Sequence, residues 1–292
     1  MLEINKIHQG DCLELMKEIP NKSVNLILCD LPYGVTARNK WDVIIPFDKL
    51  WEQYNRIIKE NGVIILTATQ PFASMLIMSN PQMFKYDLVW NKNSVTGFLN
   101  SKKMPLRKHE TILVFYNTLP TYNPQMTTGK LIKKCTKAKQ TSNYNDASNR
   151  PEPYMSDKYY PTSIIDISNP RFKNGHPTQK PIELGNYIIK TYTNQGDIVL
   201  DNCCGSGSFL LSAFMNGRKF IGIEKEKEYF EMAQKRLSQE TLLPLAENSK
   251  EVGILPTKVG SFQINKRKNS KKRKIGQHTT KDRKFHRSKE VR

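Results

Sequence analysis

Acidic residues are scarce in this 292-residue chain: 27 Asp and Glu stand against 46 Lys and Arg, a formal charge of +19. That imbalance points to a polyanionic partner, because neutralising phosphates releases their condensed counterions and drives association. Cysteine is scarce too. Of five, Cys203 and Cys204 adjoin and the others are scattered, so there is neither a disulfide framework nor a C-x-x-C metal spacing. His109 and His176 have no second histidine or cysteine at ligand spacing, and no metal requirement is expected. A reducing cytoplasmic setting fits this cysteine usage. No run approaches the roughly 20 apolar residues that span a bilayer, and residues 1–10 lack the apolar stretch of a signal peptide. Membrane insertion is therefore not expected.

What remains is a chain, 38% hydrophobic, long enough to bury a substantial core. Apolar runs at 24–29, 62–67, 87–90, 112–116, 197–200 and 220–223 read as strands. Between them, residues 47–60, 70–79, 181–192, 207–217 and 226–238 carry apolar side chains at helical spacing, each long enough for a crossover. Strands alternating with helices predict a parallel α/β sheet. The pattern lapses over residues 117–174, a polar stretch too long for an ordinary connection. It fades again after Leu243. Residues 1–243 therefore read as one domain with an insertion at 117–174, followed by a linker at 244–265 and a tail at 266–292. The tail holds 13 Lys or Arg against Asp282 and Glu290, so +11 of the +19 lies there and +8 on the rest. Its composition cannot bury enough apolar surface to offset ordering entropy, and disorder is expected. No internal repeat is apparent.

Two turns carry chemistry. In the first, the strand ending at Leu200-Asp201 runs into Asn-Cys-Cys-Gly205-Ser-Gly207 and then a helix, and the next strand ends at Glu224. Such a turn lets a backbone approach a ligand and aims amide donors at it, while an acid about 20 residues on can accept from ribose hydroxyls. This is the geometry of a nucleoside cofactor site, although the turn lacks a full G-x-G-x-x-G and is also compatible with a purely structural turn. The second turn, Cys29-Asp30-Leu31-Pro32-Tyr33-Gly34, delivers a carboxylate, a restricted backbone and an aromatic ring at a strand's carboxyl end. Alone, D-x-P-Y is also an ordinary strand-to-loop turn. A base amino group is a poor nucleophile because its lone pair is delocalised, and attack on a methyl sulfonium needs acceptors for its hydrogens. The Asp30 carboxylate and the Leu31 carbonyl can serve. Tyr33 can stack on a base rotated out of a duplex.

These residues resemble the catalytic motif of the DNA amino-methyltransferases, and His176-Pro-Thr-Gln-Lys180-Pro181 resembles a hallmark hexapeptide of their permuted β group. In that group the catalytic motif precedes the cofactor turn, with a variable target-recognition region between, and this sequence has that order. The resemblance spans roughly residues 4–240 and includes Gly10-Asp11-Cys12-Leu13, Gln70-Pro71-Phe72 and Lys103 to Thr111, the last two like adenine-specific phage and bacterial restriction-modification enzymes. It implies a doubly wound, Rossmann-like α/β fold that uses S-adenosylmethionine to methylate adenine N6 of a flipped base in double-stranded DNA. It further implies that Asp30, Leu31, Pro32 and Tyr33 form the catalytic cup. Asp201, Gly205 and Gly207 would surround the methionine part of the cofactor, Glu224 would hold ribose, Asp11 would lie near the adenine, and Thr178 and Lys180 would close the pocket. Two departures stand out: Leu31 replaces the family's usual proline, with some loss of backbone rigidity, and Cys203 and Cys204 replace more common apolar residues.

Asp11 also reads as a helix cap, and Trp41 and Asp42 either order a loop over the base or form a surface turn. Lys102, Lys103, Arg107 and Lys108, with Arg150 in the insertion, are candidate phosphate contacts. Tyr144, Tyr154, Tyr159 and Tyr160 are candidates for reading the sequence or filling the gap left by the base. The fold should place the two turns on neighbouring strands near the switch point of the sheet. Partners expected are DNA, with nucleoid association, a second copy of the chain and a cognate restriction endonuclease. The alternatives are cytosine-N4 methylation, modification of RNA or of a protein glutamine, and a DNA-binding protein without catalysis. Asp rather than Ser at position 30 favours adenine.

Overall fold

Val24–Cys29 forms strand β2, apolar at every position but Asn25 rather than alternating, because both of its faces are covered. Leu26 and Leu28 point into one core layer and Ile27 and Cys29 into the other, which Val24 also joins from beyond a register shift before Leu26. This side-chain alternation is what lets a strand sit at the centre of a three-layer sandwich. A computed structural model describes residues 1–34, 42–134, 154–169 and 179–241. Trp41, Tyr144, Arg150, His176, Thr178, the expected linker at 244–265 and the tail at 266–292 lie outside the described residues.

In chain order, the elements before the insertion are β1 Lys6–Gln9, α1 Cys12–Leu15, β2, α2 Phe47–Ile57, β3 Ile58–Ala68, α3 Phe72–Ser79, β4 Phe84–Thr96 and β5 Arg107–Phe115. Then come β6 Thr127–Lys134, β7 Tyr154–Tyr159 and β8 Ile164–Asp166, followed by α4 Ile182–Tyr192, β9 Ile198–Asp201, α5 Ser208–Met215, β10 Lys219–Glu224 and α6 Lys227–Thr241. Eight strands make one sheet in the order β1-β10-β9-β2-β3-β5-β4-β8, with β5 antiparallel to both its neighbours and every other pair parallel. The fold is therefore a mostly parallel, Rossmann-like α/β sheet. Leu50, Tyr54 and Ile57 of α2 and Phe72 and Leu76 of α3 pack on one face. Leu184 and Ile188 of α4, Phe209 and Leu210 of α5 and Ala233 of α6 pack on the other.

The chain leaves β2 towards β3 on one side and leaves β9 towards β10 on the other, so the order reverses between β9 and β2. These two strands pair directly, Leu26 with Val199 and Ile27 with Leu200. The expected juxtaposition of the two chemical turns at the switch point is present.

Three details differ from or add to the sequence reading. The helix predicted for residues 47–60 stops at Ile57, and β3 begins at once with Ile58. Strand β1 was not foreseen. The insertion is not featureless: β6 and β7 form an antiparallel pair of their own, and β8 extends the main sheet beside β4.

Candidate active site

Because β2, β3, β4, β8, β9 and β10 run parallel and β5 enters from the same end, their carboxyl ends and the start of β5 meet around a cavity of about 600 Å³. Asp30 and Tyr33 line it from the end of β2, Asp201 and Gly205 from the end of β9, Glu224 from the end of β10, and Asp11 from the turn after β1. Leu31 and Pro32 line it as well. Leu31 buries its side chain in the core at 3% exposure, which leaves its backbone as the part available to the cavity.

Asp30 is held by three donors among the described residues. The Tyr33 hydroxyl donates to Oδ1 at 2.5 Å, the Thr67 hydroxyl donates to the same oxygen, and Lys180 Nζ donates to Oδ2 at 2.5 Å. Burial and the Asp30 charge push the Tyr33 hydroxyl well above the usual tyrosine range, so it stays a donor. The Tyr33 ring is supported by Phe72, with centroids 5.1 Å apart. Asp42 Oδ1 accepts from the Gly34 amide at 2.8 Å, which ties Asp42 to the end of the turn after β2.

Lys180, expected to close the cofactor pocket, lines the cavity, and its ammonium reaches the Asp30 carboxylate. It also lies 3.3 Å from Glu110 Oε2, and Glu110 Oε1 accepts from Lys92 at 3.0 Å. Lys92 and Lys180 are 5% and 7% exposed, and buried charges of this kind persist only when paired. Two ammoniums and two carboxylates, Lys92, Lys180, Glu110 and Asp30, form a charge-balanced, largely buried group. Burial pulls Lys180 down, but Asp30 and Glu110 outweigh it and hold its ammonium above the ordinary lysine range. Burial likewise raises Glu110, and Lys180 and Lys92 reverse this to leave it low. Neither Lys92 nor Glu110 had been assigned a role from sequence. Nearby, Asn169 Oδ1 is a buried acceptor without a hydrogen-bond partner among the described residues, on a residue that lines the same cavity.

On the β9 side, Asp201 is 2% exposed, and burial pushes its carboxyl up to about 8 despite donation from the Cys203 amide at 3.3 Å. Burial also raises Glu224, whose oxygens accept from the Gly205 amide at 2.7 Å and the Glu226 amide at 2.9 Å. The expectation that this turn aims its amides at a ligand is corrected for Gly205, whose amide anchors Glu224. The Cys204 and Gly207 amides are also taken, by Ile223 O and Cys204 O. Gly207 serves a different purpose: it starts α5 at φ +74°, and a Cβ there would press on Ala233 at 3.1 Å. Tyr54 of α2 donates to Asn202 Oδ1 at 2.6 Å and so ties the turn to the opposite layer. Asp11 both caps α1, accepting from the Leu13 amide at 3.0 Å, and lines the cavity. Of the basic candidates, Arg107 lines the cavity, while Lys102, Lys103 and Lys108 are exposed beyond its rim.

The family model described as DNA methylase matches residues 24–235. The DNA adenine methyltransferase YhdJ of Escherichia coli K12 is 30% identical over 80% of this chain and 83% of its own length. Type II methyltransferase M.HinfI of Haemophilus influenzae is 29% identical over 81% of this chain and 69% of its own. Among solved structures, the M1.HpyAVI–SAM complex matches with a TM-score of 0.53 at 24% identity, covering 79% of this chain and 98% of that one. PvuII DNA methyltransferase, described as cytosine-N4-specific, matches with a TM-score of 0.57 at 17% identity, covering 80% and 89%. These two share the fold. With its own matched residues supplying both turns of the cavity, the chain belongs to the DNA methylase family.

Proposed function

We propose that the chain transfers a methyl group from S-adenosylmethionine to adenine N6 of a base rotated out of double-stranded DNA. The observation that carries this reading is the state of Asp30. A carboxylate offers about four lone-pair positions, and the described donors take two on Oδ1 and one on Oδ2. One position on Oδ2 is left for a hydrogen of the base amino group.

The residues present fit the cofactor. Asp201 is a buried carboxyl with no cationic partner among the described residues, suited to an ammonium. Glu224 is held by two amides, and its remaining lone pairs suit ribose hydroxyls. Bound there, S-adenosylmethionine supplies an electrophilic methyl on a sulfonium. Asp30 Oδ2 and the Leu31 carbonyl accept the two amino hydrogens, which favours a tetrahedral nitrogen and stabilises the charge that develops on it. Tyr33 supports the base through its ring and fixes the Asp30 carboxylate through its hydroxyl. The strand pairing of β2 with β9 supplies proximity between the two halves of the site.

Adenine is favoured by Asp30 and by the named specificity of YhdJ. The catalytic turn preceding the cofactor turn supports membership of the permuted β group. Residues 1–243 act as the methyltransferase domain, with residues 117–174 choosing the sequence. A graft of that segment from an enzyme of different specificity is expected to move the methylated sequence, and an unmoved site would reject the role. For the reaction itself, mass spectrometry of nucleosides from treated DNA should find N6-methyladenine with the wild-type chain and none with Asp30→Ala. N4-methylcytosine, or no DNA product, would overturn the proposal.

A further inference from the structure

Strands β4 and β5 pair out to Asn91 and His109 and, after an irregularity, again at Thr96 and Arg107, both of which line the cavity, so the ten residues between these two grow from its rim. Gly97 turns the chain at φ +91°, and a 3-10 turn over Phe98–Asn100 follows. The loop is fixed by its own backbone: the Asn100 amide donates to Gly97 O at 2.9 Å, Lys103 to Asn100 O at 2.8 Å and Met104 to the same oxygen at 3.0 Å. On this preformed turn the apolar side chains face outward. Phe98 and Met104 are 60% and 58% exposed, and Leu99, in the middle of the turn, is fully exposed. Such side chains call for an occupant.

The surroundings say which one. From Gly97 to His109 the sequence contains no acidic residue, and Lys102, Lys103, Arg107 and Lys108 are all exposed. An apolar tip among cations at the mouth of this cavity is complementary to duplex DNA, where cations hold phosphates and an apolar wedge holds a base step open. Relying on the base-extrusion reading above, we propose that Leu99 enters the duplex and fills the space left by the target base, with Lys102 and Lys103 on the flanking phosphates. The role of filling the gap thus moves from the tyrosines of the insertion to the β4–β5 loop.

Leu99→Ala removes a fully exposed side chain and leaves the core untouched, so the full-length variant can be compared directly. Fluorescence anisotropy should show the wild-type chain binding a mixed-sequence duplex with one abasic site at least about fivefold more tightly than the intact duplex, because the unstacking cost is already met. Leu99→Ala should lose that preference; retaining it would overturn the proposal. Methyl transfer gives the second readout, on a duplex carrying the sequence at which the mark is mapped. The variant should be about tenfold slower than wild type when the target base is paired, and close to wild type when it faces an abasic site. Equal losses on both duplexes would reject the wedge, as would a variant whose main change is loss of self-association by sedimentation. Should the wild-type chain transfer no methyl group at all, the proposed function fails, and the anisotropy comparison still decides the role of Leu99.

Discussion

Asp30 binds its three donors at the cost of a constraint on everything behind it. Lys180 can sit on Asp30 Oδ2 only because Glu110 shares its charge, and Glu110 in turn needs Lys92. Glu110→Gln leaves two buried ammoniums facing one carboxylate, and breaking such a group typically costs about 3 kcal/mol. Urea denaturation should show a loss of that size and methyl transfer should fall at least about tenfold; a loss below about 1 kcal/mol would show that the four groups do not act together. Asp201 makes a prediction of opposite character. Its folded value, about 8, lies above the ordinary value of about 4, so across that window the native state keeps a proton that the unfolded chain has released. Stability must fall as pH rises from about 4 to about 8. The cofactor-free wild type should show this fall in Tm, and Asp201→Asn should flatten it; parallel curves would exclude Asp201 as the source. Asp30, Asp201 and Glu224 were legible in the sequence because each ends an apolar strand. Lys92 and Glu110 were not, since charged residues on strands read as solvent-facing and nothing in their spacing joins positions 92, 110 and 180.

Helices α4 and α5 approach closely where Gly185 faces Ser212, and a methyl group at position 185 would collide with the Ser212 hydroxyl. That hydroxyl lies 3.0 Å from the carbonyls of both Ile182 and Ser208 and shares its single proton between them, so it cannot yield freely. Gly185→Ala should therefore destabilise the protein by about 1–3 kcal/mol, although alanine has the better helix propensity; a neutral or stabilising result in urea would mean that the two helices can part. The central elements were readable from the sequence, and β2 matches its apolar run residue for residue. At α2 the sequence misled because Ile57 and Ile58 prolong the apolar pattern with no glycine or proline to mark the change to strand. Strand β1 has one buried residue, Ile7, and β6 is exposed along nearly its whole length, so neither carries an alternating core face to be read.

Over the whole molecule, charge is divided unevenly: residues 266–292 carry +11 and the remainder +8. Each phosphate neutralised adds about 0.9 to the salt dependence of binding. Removing the chain after Asn265 should weaken DNA binding, lower the slope of log K against log salt and leave the methylated sequence unchanged; an unaltered slope would show that the tail does not touch the phosphates. The sheet order carries a further consequence, for the time course of synthesis. Strand β1, near the beginning of the chain, pairs with β10, and β10 and β9 stand between it and β2. Until the ribosome has released residues 198–224, β2 offers its apolar side towards β9 as an open edge, a template for pairing with other chains. The nascent chain thus carries β2 and the turn after it, unprotected, for most of its translation, and a truncation ending before β9 should be recovered in inclusion bodies rather than as a soluble fragment.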